Sequence, residues 1–557
     1  MNEPHPAPIF GPNVLLFDPS EPQAAIQSRL DAVFAQQETN QFGLERYAML
    51  FKPGRYEVDV NVGFYTQVLG LGASPDDTAI RGAVHSDANW LGDKNATCNF
   101  WRSCENLSVT PLHSAPLTWA VSQATWMRRV HVHGDLNLWD GGWSSGGFLA
   151  DSRVDGQVNS GSQQQWLSRN ADWEQWNGHN WNMVFVGVTR PPAGEFPDPP
   201  FTIIAETPPF REKPYLCLDA EGHYVVRVPA WQAQSTVGPS WSGTPALSVD
   251  VPLDRFHLAH SDRDTAATLN AALDEGRHLL LTPGVYHLEA SLRVTRPDTI
   301  VLGLGFATLI PGNGTPAITV ADVDGVSLCG LIAEAGPLHS EVLVQIGVPD
   351  SQHDYSHNPT CLYDVCCRVG GAAAGAASVC LEIHSRDVVV DNVWLWRADH
   401  GAGADWDNNP CANGLVVHGD NVTIYGLFAE HFQEYQTLWN GEGGRVYFYQ
   451  SELPYDAPDQ NRWQHDGVPG YASYKVSDHV QRHEAWGLGV YGVYTRSDTT
   501  CFNAYEAPDT PGITLHHLTS IWIIGKPVTE ITHVVNGTGL TVNHERQKAT
   551  LKSFPPG

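Results

Sequence analysis

The sequence predicts an all-β protein made of two tandem right-handed parallel β-helices with a cleft between them. Three observations favour this fold class: a repeated sequence unit, many short apolar strands, and abundant glycine and proline spread along the chain. The chain has 557 residues, of which 42% are hydrophobic, and this length suits two or more domains because single cores stop growing well below it. The 52 glycines and 38 prolines indicate many turns rather than disorder.

The repeated unit occurs once in each half of the chain. Residues 46–72 read RYAMLFKPGRYEVDVNVGFYTQVLGLG, and residues 277–305 read RHLLLTPGVYHLEASLRVTRPDTIVLGLG. Both copies contain an apolar strand, a Pro-Gly-x-Tyr turn, an alternating strand and a strand that ends in Gly-Leu-Gly. Because stacked architectures are built from such repeats, two copies predict two stacks of strands.

A segment with helical spacing precedes each copy, at 24–37 and at 265–275. Apolar residues recur there with the period of an amphipathic helix. We expect each helix to close one end of a stack.

Short strand-like runs separated by Gly, Asn and Asp follow each copy, for example MRRVHVHG in the first half and VVVDNVWLWRADHG in the second. Three or four such strands per rung, with apolar residues pointing inward, predict a parallel β-helix, and a β-sandwich is the alternative. The predicted domains are residues 1–245 and 246–557, joined by a stretch rich in Pro, Ser, Gly and Trp at 229–252. Ligand sites tend to lie where domains meet, so the groove between the domains is the predicted site.

The charge balance restricts the partners. The chain has 32 Lys and Arg residues against 61 Asp and Glu, a formal net charge of −29, which disfavours nucleic acid and anionic membranes. A neutral polysaccharide or oligosaccharide suits this charge, and the 19 Trp and 18 Tyr residues can stack on sugar rings. No apolar run reaches 18 residues, so no transmembrane helix is predicted. We expect a monomer.

The N-terminal residues MNEPHPAPIFGPN lack the basic start and apolar core of a signal peptide. Either the protein is cytosolic or a signal peptide has been removed from an exported chain. We expect the second, a secreted protein.

The ten cysteines show no CxxC pairs of the kind that zinc sites use. No metal site and no cofactor is predicted. Cys98 with Cys104, and the group Cys361, Cys366, Cys367 and Cys380, can form disulfides in an exported protein, or they are buried free thiols. The sequence leaves both alternatives open.

The window from 391 to 456 is the densest in polar and aromatic residues together. Glu430 and Glu452 are 22 residues apart, the length of about one rung, so they are predicted to be neighbours in the stack. A carboxyl group that is surrounded by Tyr and Phe rings and lies beside a second carboxylate resists ionisation. Such a group can be the general acid of glycoside hydrolysis. The structural alternatives are a surface carboxylate for Glu452 and a corner carboxylate for Glu430.

Several other side chains are predicted to bind substrate. Uncharged donors and acceptors occur in the first half, and Trp, Asp and Glu side chains lie in the window of the second half. The predicted substrate-binding residues are Gln123, Ser144, Ser145, Gln163, Trp396, Asp399, Trp439 and Glu442.

The paired Pro-Gly-x-Tyr…Gly-Leu-Gly units and the stretch YQSELPYD at 449–456 resemble glycoside hydrolase family 55, exo-acting β-1,3-glucanases of two tandem β-helices. The resemblance implies inverting hydrolysis that releases glucose from the non-reducing end. It further implies that Glu452 is the general acid, with Tyr455 and Glu430 as catalytic partners. The resemblance also implies that Gln123, with Ser144 or Ser145, belongs to a network of side chains that positions a water molecule.

Two other functions remain compatible with the fold. A β-helix can be a polysaccharide lyase, which uses an Arg or Lys base, or a protein that binds a glycan without cleaving it. The net negative charge disfavours the lyase, and the concentration of carboxylates and rings in one window disfavours the binding protein.

Overall fold

The computed structural model describes residues 9–243 and 247–556. The N-terminal unit is a 15-stranded, parallel sheet system wound into a β-helix. Its strands are β1 (Val14–Phe17), β2 (Tyr47–Phe51), β3 (Gly54–Asn61), β4 (Thr66–Gly70), β5 (Thr78–His85), β6 (Arg102–Pro111), β7 (Leu117–Thr118), β8 (Trp126–Val132), β9 (Leu136–Asn137), β10 (Phe148–Ala150), β11 (Arg153–Asn159), β12 (Gln165–Arg169), β13 (Asp172–Asn177), β14 (Asn182–Val186) and β15 (Phe201–Ile204).

A small antiparallel sheet follows, made of β16 (Tyr215–Leu218), β17 (Tyr224–Pro229) and β18 (Ser248–Pro252). The predicted boundary between residues 245 and 246 falls within 244–246, outside the described residues. The stretch predicted to be a linker is in part an ordered sheet, because β18 pairs with β17 across it.

The C-terminal unit is a second β-helix with a 14-stranded sheet, a 9-stranded sheet and a 2-stranded antiparallel ribbon. Its strands are β19 (Phe256–Ala259), β20 (His278–Leu281), β21 (Val285–Leu288), β22 (Leu292–Val294), β23 (Ile300–Gly303), β24 (Thr308–Pro311), β25 (Ile318–Val320), β26 (Ser327–Cys329), β27 (Ile332–Glu334), β28 (Ser340–Ile346), β29 (Cys361–Val369), β30 (Ala377–Ile383), β31 (Val389–Arg397), β32 (Asn413–Val417), β33 (Thr423–Glu430), β34 (Thr437–Trp439), β35 (Gly444–Glu452), β36 (Gln464–His465), β37 (Val468–Pro469), β38 (Tyr474–Val476), β39 (His483–Tyr494), β40 (Cys501–Glu506), β41 (Ile513–Gly525), β42 (Ile531–Val535) and β43 (Lys548–Phe554).

Both predicted helices are confirmed, α1 (Gln23–Gln37) and α2 (Ala266–Asp274). In α1 the buried residues Ile26, Leu30 and Val33 recur at helical spacing and cover the apolar core of the N-terminal unit. The hydroxyl of Thr265 caps α2 by accepting a hydrogen bond from the backbone N–H of Thr268. The described residues contain no helix long and apolar enough to cross a membrane.

The long strands of the C-terminal unit bend at one aligned position each. Asn392, Gly426, Phe448 and Gly487 have left-handed backbone conformations, with φ of 69°, 74°, 73° and 66°. They occupy the same step of the register on β31, β33, β35 and β39. The bend divides each strand into two segments that face different directions, and the second segments end at the groove between the units.

The two units are joined through an apolar cluster to which both contribute. Phe148 and Leu167 of the N-terminal unit pack there with Tyr425 and Phe428 of the C-terminal unit. Because each unit also has its own inner core, the interface is a separate apolar layer between two β-helices.

Charged groups are buried in the same interface. Arg128 of the N-terminal unit contacts Asp364 and Asp391 of the C-terminal unit, with N···O distances of 2.8 and 2.6 Å. Arg169 contacts Asp391 at 2.9 Å and Glu212 at 2.7 Å. Every one of these side chains is at most 6% exposed, so the pairs are shielded from solvent.

Candidate active site

The paired glutamates lie on adjacent rungs, as their spacing predicts. Trp396, Glu430, Glu452 and Tyr491 are successive register partners near the C-terminal ends of β31, β33 and β35 and along β39. This arrangement confirms that Glu430 and Glu452 are neighbours in the stack.

Glu452 receives hydrogen bonds from both units. The Tyr455 hydroxyl donates to Oε2, Gln450 Nε2 donates to Oε1 at 3.2 Å, and Gln123 Nε2 of the N-terminal unit approaches Oε1 at 3.4 Å. His431 Nε2 lies 3.8 Å from Oε2. The side chain keeps 12% of its surface exposed, so it can reach a bound ligand.

Glu430 is more deeply buried, with 1% of its surface exposed. Trp394 Nε1 donates to its Oε2 at 2.8 Å, whereas Oε1 has no hydrogen-bond partner among the described residues. Burial and the neighbouring charge of Glu452 raise the pKa of Glu430 well above its usual value. Burial also raises the pKa of Glu452, although His431 and the hydrogen bond from Tyr455 oppose the shift.

The two carboxyl groups therefore resist losing both of their protons. Strongly interacting groups titrate as a pair, and the first proton leaves more readily than the second. The environment of Glu430 and Glu452 favours a pair that retains one proton near neutral pH, which is what general acid catalysis requires.

An ion pair lies beside the two glutamates, after the end of β31. Asp399 Oδ1 lies 2.8 Å from His400 Nδ1. Burial opposes ionisation of Asp399, yet the charge of His431 and the hydrogen bond with His400 lower its pKa to about 2. Burial opposes the charge on His400 as well, but the bond to Asp399 raises its pKa to about 10.

These groups line a cavity of about 230 Å³ between the units. Loops of the N-terminal unit and strand ends of the C-terminal unit both contribute to its wall. The lining residues are Thr97, Cys98, Phe100, Gln123, Ser145, Gln164, Trp396, Asp399, His400, Glu430, His431, Glu452, Tyr455, Val493 and Ile523.

A larger depression of about 730 Å³ lies on the N-terminal unit, away from the paired carboxylates. Its acidic side chains are engaged in exposed ion pairs, Glu57 with Arg81 and Asp59 with His85. The smaller cavity, which contains the paired carboxyl groups, is therefore the better candidate for a catalytic site.

The described wall of the small cavity includes no Lys or Arg. Arg397, the nearest basic candidate in the sequence window, is buried and paired with Asp456 at 2.7 Å. The lyase considered from the sequence uses Arg or Lys as its base, so the geometry disfavours that function.

Two predicted substrate-binding residues lie elsewhere. Trp439 is fully buried in the inner core of the C-terminal unit, where its ring packs against His483. Glu442 precedes β35, whereas the cavity lies at the other end of that strand. Its carboxylate accepts hydrogen bonds from the backbone N–H groups of Gln481 and Arg482. The structure therefore places neither side chain at the cavity.

The predicted polar residues of the first half divide into two sets. Gln123 and Ser145 line the cavity, and Ser145 Oγ lies 3.4 Å from Gln123 Oε1. Ser144 and Gln163 are register partners buried behind the wall. Gln163 binds the backbone of Gly146 and so holds the loop that carries Ser145, and no substrate contact by Ser144 or Gln163 is shown.

The predicted ring environment of Glu452 is also only partly right. Tyr455 contacts the carboxylate, but Tyr447 stacks between Tyr425 and Trp486, and Tyr449 lies in the inner core. Tyr447 precedes the bend at Phe448, and Tyr449 points inward on the same segment as Glu452. Side chains of both units therefore surround the carboxylate, and these two rings do not.

Trp396 and Asp399 do line the cavity, as predicted. The cavity is also lined by residues for which no substrate contact was predicted: Phe100, Gln164, His400 and His431. The ring centroids of Phe100 and Trp396 are 5.8 Å apart, and the two rings form an apolar wall of the cavity. His431 follows Glu430 directly in the sequence and could have been found from that position, whereas Phe100 and Gln164 lie in irregular loops without a periodic pattern.

All ten cysteines belong to the described residues and are free thiols. Cys98 lies at the cavity wall and the other nine are buried. The open alternative between disulfides and thiols is thus resolved in favour of thiols.

Comparison with known proteins shows the family of this chain. A family model for the LAM55 pectate lyase-like domain matches residues 256–452. The chain is 48% identical over 535 residues to an exo-beta-1,3-glucanase from Streptomyces sp. (strain SirexAA-E / ActE), covering 95% of this chain and 87% of the relative. The solved structure of sacteLam55A from Streptomyces sp. SirexAA-E superposes with a TM-score of 0.95 at 46% identity and covers 98% of this chain and 99% of that one.

A glutamate-to-alanine variant of sacteLam55A, solved in complex with glucose, matches with the same TM-score of 0.95 and the same 46% identity, covering 98% of each chain. The likeness extends over both β-helices rather than over the matched domain alone. This protein therefore belongs to glycoside hydrolase family 55 and is a glycoside hydrolase of the exo-β-1,3-glucanase type.

Proposed function

We propose that this protein is a secreted, inverting exo-β-1,3-glucanase that removes glucose from the non-reducing ends of laminarin-type glucans. The observation that carries the proposal is Glu452, a poorly solvated carboxyl group at a cavity between two β-helices, with Glu430 one rung away. The names of the relatives, an exo-beta-1,3-glucanase and a glucose complex, support the substrate.

The size of the cavity supports exo action. Its volume of about 230 Å³ is below the roughly 300–1,000 Å³ of pockets that hold drug-sized ligands. A space of this size suits one terminal sugar ring, with Phe100 and Trp396 as an apolar wall. An endo-acting enzyme needs an open groove that accepts a chain on both sides.

In the proposed reaction, Glu452 donates a proton to the glycosidic oxygen as the bond to the anomeric carbon breaks. The hydrogen bonds from Tyr455 and Gln123 orient its carboxyl group and stabilise the carboxylate that forms. Glu430 is itself difficult to ionise, so the pair retains a proton for donation.

As that bond breaks, a water molecule attacks the anomeric carbon from the opposite face of the sugar, and the proton that it loses passes to solvent water. Inverting enzymes leave about 6.5–9.5 Å between the acid and the group that activates this water. We assign the placement of the water to polar side chains from the N-terminal unit, with Ser145 and Gln164 as the candidates at the cavity wall.

Secretion and a monomeric state are part of the proposal. A glucan polymer is too large to enter a cell intact, so an enzyme that acts on it works outside. The apparent mass by light scattering is expected to match the 61.0 kDa of one chain.

Proton NMR during hydrolysis of laminarin tests both the inversion and the exo action. We expect glucose as the first product, released as the α-anomer before mutarotation. β-Glucose as the first anomer contradicts inversion, and early oligosaccharides without glucose contradict exo action.

A further inference from the structure

A cluster of histidines and aspartates lies on the N-terminal unit, outside the candidate active site. His131 is at the end of β8 and His133 follows that strand, so the two imidazoles project on the same side, with ring centroids 3.9 Å apart. Asp76 belongs to a 3-10 turn, Pro75–Asp77, and Asp155 lies on β11. None of these four side chains lines the cavity between the units.

Each imidazole is held between the two aspartates. On one side, Asp76 Oδ1 lies 2.8 Å from His131 Nδ1 and 3.7 Å from His133 Nε2. On the other side, Asp155 Oδ2 lies 3.1 Å from His131 Nε2 and 3.0 Å from His133 Nδ1. Each histidine thus directs one ring nitrogen to each aspartate.

The arrangement offers three ligand atoms to a cation. When the N–H of each neutral imidazole is donated to Asp155, the other nitrogen of His131 and of His133 faces the carboxylate oxygen of Asp76. These three atoms lie within 4.8 Å of one another.

The geometry fits a divalent transition metal. Zinc binds at about 2.0–2.1 Å to imidazole nitrogen and about 2.0–2.2 Å to carboxylate oxygen, so tetrahedral ligand atoms lie about 3.4 Å apart. The distances from Asp76 Oδ1 to the two nitrogens, 2.8 and 3.7 Å, bracket that value. The side chain of Asp76 is 50% exposed, which leaves room for water as a further ligand.

The second aspartate provides the support that bound imidazoles usually have. Metal-binding histidines commonly donate their other N–H to a carboxylate, which fixes the tautomer. Asp155 accepts from both rings and is itself held by Arg153 Nε at 2.8 Å.

We propose that Asp76, His131 and His133 bind one Zn²⁺-like divalent transition-metal ion, with Asp155 orienting both imidazoles from behind. The ion would tie the Pro75–Asp77 turn to β8 and so stabilise the N-terminal unit, since an ion that binds only the folded state raises its stability.

A second group of similar composition gives a matched control. Glu382, His384 and His418 also converge, but both imidazoles direct Nε2 to the same carboxylate. Among the described residues no carboxylate lies behind these two rings, where His418 Nδ1 instead faces the Asn440 amide at 3.4 Å. We therefore do not expect a tight site there.

The test is a calorimetric titration of the chelator-treated, full-length protein with ZnCl₂, together with the visible spectrum after Co²⁺ addition. We expect one tight site in the wild type, loss of that site in H133Q and D76N, and affinity weakened about 10- to 100-fold in D155N. The control H418Q should bind as the wild type does. His133 and Asp76 are 37% and 50% exposed, so these substitutions leave the core intact.

The thermal midpoint should rise on Zn²⁺ addition in the wild type and in H418Q but not in H133Q, while laminarin hydrolysis stays equal in all three. The proposal is overturned if the wild type takes up no Zn²⁺. It is equally overturned if H133Q and D76N bind as tightly as the wild type, or if H418Q is the variant that loses the site.

Discussion

At the scale of single residues, two glutamates with the same side chain have different surroundings. Glu430 has one donor and a free oxygen in a fully buried position, whereas Glu452 has several donors and keeps a surface at the cavity. The first environment favours a neutral carboxyl group and the second allows proton transfer to a ligand. Both carboxyl groups thus resist ionisation, and Glu452 is the member of the pair whose proton a ligand in the cavity can reach.

Replacing Tyr455 with Phe tests the hydrogen bond to the acid. That bond lowers the pKa of Glu452, so its loss should raise the pKa further. A general acid is active while protonated, and its contribution is lost as the pH rises through its pKa. We therefore expect the alkaline limb of kcat/KM for laminarin to move to higher pH in Y455F, with a lower kcat. An unchanged or lowered alkaline limb contradicts the assigned role of Tyr455.

The sequence allowed some of these residues to be predicted and not others. The 22-residue interval between Glu430 and Glu452 equals one rung, and rung length follows from the strand pattern. The contact between Gln123 and Glu452 joins residues 329 apart, and only the family resemblance indicated it. Trp439 was misplaced because a tryptophan in a polar window can point either to the core or to the groove.

At the scale of elements, the repeated units predicted the local structure well. The predicted helix at 24–37 is observed as Gln23–Gln37, and the one at 265–275 as Ala266–Asp274. The helical spacing of the helices and the alternation of the strands were sufficient to predict the repeated units, because the inner faces of these elements are apolar. The small sheet β16–β18 was missed because its β18 is largely exposed and follows a stretch rich in Pro and Gly.

The aligned bend in the long strands explains why Tyr447 and Tyr449 do not surround Glu452, although the sequence had suggested that they would. In a regular strand Tyr447 and Tyr449 would share one face. The left-handed residue between them, Phe448, sends Tyr447 to the interface and Tyr449 to the inner core. An aromatic residue rarely adopts positive φ, so the sequence alone gave no reason to place a bend there.

At the scale of the whole molecule, the site exists only where the two units meet. Gln123 and Ser145 come from one β-helix, and Glu430 and Glu452 from the other. Their relative position depends on the interface, which combines an apolar layer with buried ion pairs such as Arg128 with Asp391.

Substituting Asp391 by Asn tests the buried ion pairs. The change removes one of the carboxylate partners of Arg128 and of Arg169 in a dry interface, and the loss of one partner of a buried pair costs about 3–5 kcal/mol. We expect D391N to unfold at lower urea concentration by that free energy. The control E57Q breaks an exposed pair with Arg81 and should cost at most about 1 kcal/mol. Equal effects of the two variants contradict the role given to the interface.

The central claim is that Glu452 donates the proton to the leaving sugar. The most direct measurement compares E452Q with the wild type on laminarin and on β-glucosyl fluoride, whose leaving group needs no proton. The account predicts a loss of about 10²–10⁴-fold or more on laminarin, a much smaller loss on the fluoride, and an unchanged circular dichroism spectrum. Equal losses on both substrates, or full activity on laminarin, would contradict it.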